Sequence, residues 1–136
     1  MTVDTISERS APDIRITCPA DLFPALRKLA SKRVEHFWTA NLNAAQVVQR
    51  INLISVGTLN RCLIHPREVF RPAIVQSSFA IILIHNHPSG DLTPSREDKE
   101  MTQRLVSVAK IIGIEILDHL IVSKLGYFSF REKGEL

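Results

Sequence analysis

Cysteine is scarce in this sequence, since Cys18 and Cys62 are the only two among 136 residues. They stand far apart and form no C-x-x-C pair, which excludes the usual zinc-ribbon and dithiol redox patterns. Scarce cysteine is typical of a chain that folds in a reducing compartment, and it predicts two buried or half-buried thiols rather than a disulfide. A chain of this length can bury a sufficient core without cross-links.

Long apolar runs are missing as well. No stretch approaches the roughly 18 apolar residues that a membrane span needs, and residues 1–13 lack the apolar centre of a signal peptide. We therefore expect a cytoplasmic protein with no membrane contact. Residues 1–13 are predicted to form a flexible tail, and residues 14–136 are predicted to form one domain.

Aromatic residues are also few, at 6% of the chain, and basic side chains exceed acidic ones only by 17 to 14. The densest basic cluster consists of Arg27, Lys28, Lys32 and Arg33. Such a cluster could contact nucleic acid, but it is more often a solvated helix face. Aromatic residues do not alternate with basic ones, as they tend to on surfaces that bind single strands. DNA is therefore a weakly supported partner.

What the sequence does contain is an alternation of helical and strand patterns. Helices are predicted at 20–32, 65–76 and 95–112, and strands at 34–43, 46–57, 78–85, 114–122 and 127–130. Gly113 is a stop signal for the last helix. The almost wholly apolar segment 78–85 indicates a central strand covered on both faces. Interleaved helices and strands predict an α/β fold, a three-layer α-β-α sandwich with a mixed sheet.

Polar side chains that can bind a metal follow this central strand, in the stretch "IHNHPSGDLTPSRED". Side chains alternate across a strand, so His85 and His87 are expected to project to the same side. Asp98 begins the apolar face of the following helix and can approach them. Two imidazoles and one carboxylate suit one Zn²⁺ per chain and leave a position for water. Zinc can lower the pKa of that water to about 7.

Ser95 and Asp98 also allow a simpler interpretation. Ser-x-x-Asp fits a capping box, and an acidic residue in the first turn suits the helix dipole. Taken alone, the pair favours a cap, and a lone His-x-His often just ends a strand. The combination H-x-H-x7-S-x2-D is much more specific, because ordinary residue frequencies produce it in on the order of one chain in a thousand. The Ser95 hydroxyl could donate to an oxyanion that forms on an attacked carbonyl.

Hydrolysis at a metal also needs a proton shuttle, normally a carboxylate close by. Glu35 is the candidate, although the pattern alone does not choose it over Glu68, Glu97 or Glu115.

The remaining histidines carry weaker signals. His119 stands in an apolar strand and is predicted to be packed in the core or to support a metal ligand. His36 and His65 have no ligand-like partners nearby and are predicted to be structural.

From Glu35 onward the sequence resembles the RadC family, a bacterial branch of the JAMM or MPN-type metalloproteins. The resemblance covers about three quarters of the chain and is carried by "GTLNRCLIHPREVFRPA", "HNHPSGDLTPSREDKEMTQRL", "GIEILDHLIV" and "YFSFREKG". It implies a JAB/MPN fold, which is cytidine-deaminase-like, with zinc bound by His85, His87 and Asp98. Ser95 would steady the tetrahedral intermediate. Glu35, matching the family's "E-x-F", would act as general base.

By resemblance the reaction is hydrolysis of a peptide or isopeptide bond in an unknown protein or peptide substrate. Members of the family have also been labelled DNA-repair proteins. Longer members carry a helix-hairpin-helix-like region that is not present here, so a short stand-alone form is expected. The alternative is a DNA-repair-associated module that binds DNA or protein and has a structural or inactive metal site. A homodimer is a further open expectation.

Two other enzyme classes are disfavoured. The literal string "HNH" is not the nuclease motif, which spreads those three residues across a ββα unit. A zinc deaminase would need H-x-E followed by P-C-x-x-C, and neither occurs here.

Overall fold

The computed structural model describes residues 14–57 and 64–136. Within these ranges the elements follow the predicted order. They are α1 (Pro19–Ala30), β1 (His36–Leu42), β2 (Val48–Val56), α2 (Pro66–Val75), β3 (Ala80–Asn86), α3 (Arg96–Ile112), β4 (Glu115–Ser123) and β5 (Gly126–Ser129). The predicted tail at 1–13 and the predicted burial of Cys62 lie outside the described residues.

The strands form one five-stranded sheet in the order β2-β1-β3-β4-β5. β3 and β4 run parallel, and the other neighbouring pairs run antiparallel, so the sheet is mixed as predicted. β3 lies in the middle and all seven of its residues are buried. This explains why its sequence is almost wholly apolar, since a strand covered on both faces cannot alternate with polar residues.

Helices cover both faces of this sheet and give the predicted three layers. Along β3, Ile82 and Ile84 join the core under α1, whereas Ile81 and Leu83 join the core shared with α2 and α3. This alternation follows from the period of two in a strand. The two faces of one strand therefore belong to different cores, and the metal-ligand candidates must lie on one of them.

The first turn of α3 is built as its sequence predicts. Ser95 is the N-cap and accepts a hydrogen bond from the Asp98 amide at 3.0 Å, while the Ser95 amide donates to Asp98 Oδ2 at 2.8 Å. This reciprocal capping box satisfies two amides that the helix leaves unpaired. Gly113 ends the helix in a left-handed conformation with φ of 85°, which glycine adopts without steric cost. The predicted start and stop of α3 are confirmed.

The prediction for one of the thiols was wrong. Cys18 was expected to be buried or half-buried but is exposed, because it is the N-cap of α1 and lies where the chain enters that helix from the surface. The exposed position suits its capping role but separates its thiol from the core.

None of the helices in the described part of the chain combines the length and apolar character needed to cross a membrane.

Two apolar positions on α3, one buried and one exposed, provide a test of this packing. Leu105 is fully buried and Ile111 is 86% exposed. Leu105→Ala should lower the free energy of unfolding by about 2–5 kcal/mol, because it leaves a cavity between helix and sheet. Ile111→Ala should change it by about 0.5 kcal/mol or less. Urea denaturation measures both, and equal losses would contradict the placement of the helix.

Candidate metal centre

His85, His87 and Asp98 come together at the carboxyl end of β3, as predicted. The Nε2 atoms of the two histidines lie 3.0 Å apart. Asp98 Oδ2 is 3.2 Å from His87 Nε2, and Asp98 Oδ1 is 3.4 Å from His85 Nε2. Among the described residues, this trio forms the group of side chains that could hold a metal ion.

Strand pairing fixes the position of His85. It pairs with Phe37 of the antiparallel neighbour β1 and with Ile121 of the parallel neighbour β4. The Phe37 ring stacks on the imidazole, with ring centroids 6.2 Å apart. His85 is fully buried, whereas the side chain of His87, one residue past the end of the strand, is 12% exposed. Of the two histidines, one thus lies in the core and the other reaches the surface.

A chain of buried hydrogen bonds fixes the protonation of the His85 ring. Thr102 Oγ1 donates its proton to the Asp98 carbonyl at 2.7 Å, so this hydroxyl must accept from His119 Nδ1, which lies 2.6 Å away. Burial lowers the pKa of His119 well below its ordinary value, so this ring is neutral and carries one N–H. Its Nε2 therefore accepts from His85 Nδ1 at 2.7 Å.

His85 consequently keeps its lone pair on Nε2, the atom that faces His87 and Asp98. Burial lowers the pKa of His85, which keeps the ring neutral. A hydrogen bond from the other ring nitrogen is the usual way in which proteins orient a metal-ligating imidazole and set its tautomer. His119 was predicted either to be packed in the core or to support a metal ligand; its ring is buried and is hydrogen-bonded to the ligand candidate His85.

A backbone carbonyl orients His87 in the same way. His87 Nδ1 lies 2.6 Å from the Asp91 carbonyl oxygen, which can only accept, so Nδ1 carries a proton. Nε2 is then left to face His85 and Asp98. Burial opposes protonation of His87, but its contacts with Asp98 and Asp91 outweigh burial and raise the pKa of the ring.

Asp98 contributes a negative charge to the same point. Burial would raise the pKa of this carboxyl, yet its contacts with His85 and His87 hold the pKa well below the usual range. Its Oδ2 is held by the Ser95 amide, while Oδ1 is buried and receives no hydrogen bond. A buried carboxylate oxygen without a donor is costly unless a cation compensates it.

The donor set fits a divalent metal ion. Two imidazole nitrogens and a carboxylate oxygen converge, and lone pairs this close repel unless a proton or a metal cation lies between them. A tetrahedral ion with bonds of about 2.0–2.1 Å separates its ligand atoms by about 3.3 Å. The two Nε2 atoms lie 3.0 Å apart, and His85 Nε2 lies 3.4 Å from Asp98 Oδ1, so both separations are close to this value. Binding of such an ion competes with protonation of His87.

A cleft of about 330 Å³ opens beside the cluster. It is lined by Glu35, His87, Ser89, Asp91, Thr93, Ser95, Glu97 and Asp98.

Glu35 reaches this cleft through the pairing of β1 with β3. Phe37 lies opposite His85, so the residue two positions before Phe37 comes level with His87, and it points to the same face of the sheet. The negative charge of Glu35 acts on both histidines. Of its rivals, Glu97 also lines the cleft, whereas Glu68 and Glu115 do not.

His36 and His65 lie apart from the cluster. His36 stacks on Trp38 at a centroid distance of 5.2 Å, and His65 is the N-cap of α2. The predicted structural roles agree with these positions.

Two residues of the site were not predicted, Thr102 and Asn86. Thr102 lies four residues after Asp98, on the same buried face of α3. Its hydroxyl on an otherwise apolar face was the available signal. Asn86 is a buried amide in the apolar strand between the two histidines, and such a group needs partners.

A mixed sheet between helices, with a His–His–Asp cluster at the carboxyl end of its middle strand, is the architecture of a JAB domain. A family model of the RadC-like JAB domain matches residues 16–135. The chain belongs to the RadC family.

Similar proteins carry the name UPF0758. The protein from Symbiobacterium thermophilum is 54% identical over 109 residues, which are 80% of this chain and 47% of the relative. The protein from Pelodictyon phaeoclathratiforme is 47% identical over 90% of this chain and 55% of its own length. The protein from Rubrobacter xylanophilus is 51% identical over 89% of this chain and 53% of its own length. The chain thus spans about half the length of these relatives.

The role of His119 can be tested with Zn²⁺ as the probe ion. In His119→Phe the new ring would fill the same space but could not accept the His85 Nδ1–H, so the His85 tautomer would no longer be fixed. The substitution should weaken zinc affinity about 10–100-fold, measured by competition with a chromophoric chelator. His65→Ala, outside the cluster, should leave affinity unchanged. A folded His119→Phe protein with wild-type affinity would contradict the hydrogen-bond chain.

Proposed function

We propose that this protein is a zinc-dependent hydrolase of the JAMM type that cleaves an amide bond, as a peptidase or isopeptidase, in a protein or peptide substrate. The observation that carries the proposal is the convergence of two imidazole Nε2 atoms on the buried carboxylate of Asp98, whose Oδ1 has no donor. This cluster borders a cleft that also contains a second carboxylate, Glu35. Ligands, base and room for a substrate are therefore adjacent.

The ligand roles follow from the hydrogen bonds. His85 and His87 offer Nε2 because their Nδ1 atoms are held by His119 and by the Asp91 carbonyl. Asp98 offers Oδ1, because Oδ2 is held by the Ser95 amide. Zinc bound there supplies a Lewis acid that polarises the substrate carbonyl and activates water.

The proton transfers fall to Glu35. In this proposal its carboxylate accepts a proton from the attacking water and donates it to the leaving nitrogen, first as a general base and then as a general acid. Ser95 Oγ accepts a hydrogen bond from the Asp98 amide through a lone pair. The proton of the Ser95 hydroxyl therefore stays available for donation. Because Ser95 lines the cleft, its hydroxyl can stabilise the negative oxygen that forms on the attacked carbonyl.

The ligand assignment predicts metal stoichiometry. The purified protein should contain about one zinc per chain, and His87→Ala should lose most of it, because the remaining two ligands cannot complete a stable site. Elemental analysis after dialysis measures both proteins. The zinc content of His65→Ala should match that of the unsubstituted chain. Full metal retention in His87→Ala would remove the ligand assignment.

The assignment of Glu35 as general base predicts a variant that binds metal but has lost most of its hydrolytic activity. At saturating zinc, Glu35→Gln should still hold about one zinc per chain but lower amide hydrolysis about 10²–10⁴-fold, measured on a panel of fluorogenic peptides and lysine-linked isopeptides. Glu97→Gln, the matched change at the other glutamate that lines the cleft, should have little effect. If Glu97→Gln abolishes hydrolysis and Glu35→Gln does not, the general base is wrongly assigned. If the zinc-loaded protein hydrolyses none of the amide substrates, the proposed hydrolase activity is contradicted.

A second candidate function is DNA binding with a structural or inactive metal site. The basic residues Arg27, Lys28, Lys32 and Arg33 are all exposed, at the end of α1 and in the connector that leads to Glu35. They could contact phosphates near the cleft. Binding of duplex DNA that weakens with salt and is unchanged by chelation would favour this function, and no binding at low salt would remove it. The homodimer stays a prediction.

A further inference from the structure

The geometry points to Asn86 as a positioning residue for Glu35. Asn86 is the residue between the two histidines, and its side chain binds the backbone on both sides of Glu35. The inference rests on the proposed function, in which Glu35 is the general base, and it adds a residue to which that function assigns no role.

Asn86 lies on the opposite face of β3 from the metal-ligand candidates. Successive side chains of a strand alternate between its faces, so His85 faces α3 while Asn86 faces the connector between α1 and β1. Asn86 is fully buried. A buried amide is expensive unless its donor and acceptor atoms are paired, which makes the identity of its partners informative.

Within the described residues, the hydrogen bonds of its side chain go to one short segment. Nδ2 donates to the Lys32 carbonyl at 3.2 Å and to the Val34 carbonyl at 3.1 Å. Oδ1 accepts from the His36 amide at 2.7 Å. Two of these backbone groups belong to the residues immediately before and after Glu35. The Glu35 carbonyl accepts from the Gly57 amide at 2.9 Å, so the backbone around this residue is held from two directions.

The connector has few apolar anchors of its own. Residues 31–34 are exposed, and Val34, its one large apolar side chain, is 48% exposed. Burial of side chains therefore contributes little to its position, and backbone hydrogen bonds contribute correspondingly more. Since Glu35 sits at the end of this segment, the Asn86 side chain controls where its carboxylate enters the cleft.

One tripeptide thus orients both halves of the site. His85 and His87 place the ligand nitrogens on one face of β3, and Asn86, from the other face, sets the position of the carboxylate beside them. Loss of the Asn86 amide should displace Glu35 while leaving the ligands themselves intact.

Zinc affinity can test this without a known substrate, through a double-mutant cycle. The Glu35 charge favours a cation at the site, so Glu35→Gln should weaken zinc binding about tenfold, measured by competition with a chromophoric chelator. Asn86→Ala should weaken it by a similar factor in the parent chain and by less than about twofold in the Glu35→Gln background. Losses that multiply in the double variant would overturn the proposal.

A matched control separates positioning from stability. Asn41 is also fully buried, and its Nδ2 donates to Gln76 Oε1 at 3.0 Å, away from the cleft. Asn41→Ala should lower the urea midpoint and leave zinc affinity unchanged. If Asn41→Ala weakens zinc binding as much as Asn86→Ala, the effect is general destabilisation and the proposal fails.

Hydrogen exchange provides a readout that does not depend on zinc. In the unsubstituted protein the His36 amide proton should be protected, and Asn86→Ala should raise its exchange rate about tenfold or more. If Asn86→Ala does not fold, Asn86→Asp keeps the shape and the acceptor for His36. The Asn86→Asp protein should then keep the His36 amide protected from exchange. It should bind zinc more weakly than the parent chain when Glu35 is present, and with little further loss in the Glu35→Gln background. Exchange of His36 at the rate of an unstructured peptide in the unsubstituted protein would overturn the proposal.

The two proposals fail in different ways. A protein that binds no zinc overturns the proposed function, and with it the role of Glu35. Multiplicative zinc losses in a protein that binds zinc overturn only the role of Asn86.

Discussion

The Nε2 atoms of His85 and His87 lie 3.0 Å apart, beside a buried carboxylate oxygen of Asp98 that has no donor. Groups with the same polarity repel at this distance, so the fold must hold them together until a cation neutralises the repulsion. The hydrogen bond from His85 to His119 prevents the ring from turning away, and the cap at Ser95 does the same for the carboxylate. These contacts hold three electron-rich groups together against their mutual repulsion, an arrangement that would favour a cation between them.

Features that depend on near neighbours in the chain could be predicted. The apolar run before His85 indicated a central strand, and the spacing from Ser95 to Asp98 indicated a capping box; both are present. The same is true of Gly113 as the end of α3. Each of these requires only a local period or a local backbone conformation, so the residues that determine it stand within a few positions of each other.

Features that depend on pairing between distant segments could not be predicted in the same way. Asn86 binds carbonyls 54 and 52 positions earlier, and no local pattern reports such contacts. The preference for Glu35 over Glu68 or Glu115 came from resemblance alone, whereas in the structure it follows from the register that places Phe37 opposite His85. The tautomer of His85 is even harder to predict from the sequence, because it is set by a hydrogen-bond chain that runs from Thr102 through His119 to His85.

The unequal burial of the two histidines has a kinetic consequence. His85 lies in the core and cannot leave its position without opening the sheet, whereas the His87 side chain is 12% exposed and follows the end of its strand. His87 and Asp98 line the cleft and His85 does not, so the cluster can be reached from solvent on the side of His87. An ion held by the cluster would therefore leave on the side of His87, by a local movement of the chain and without global unfolding.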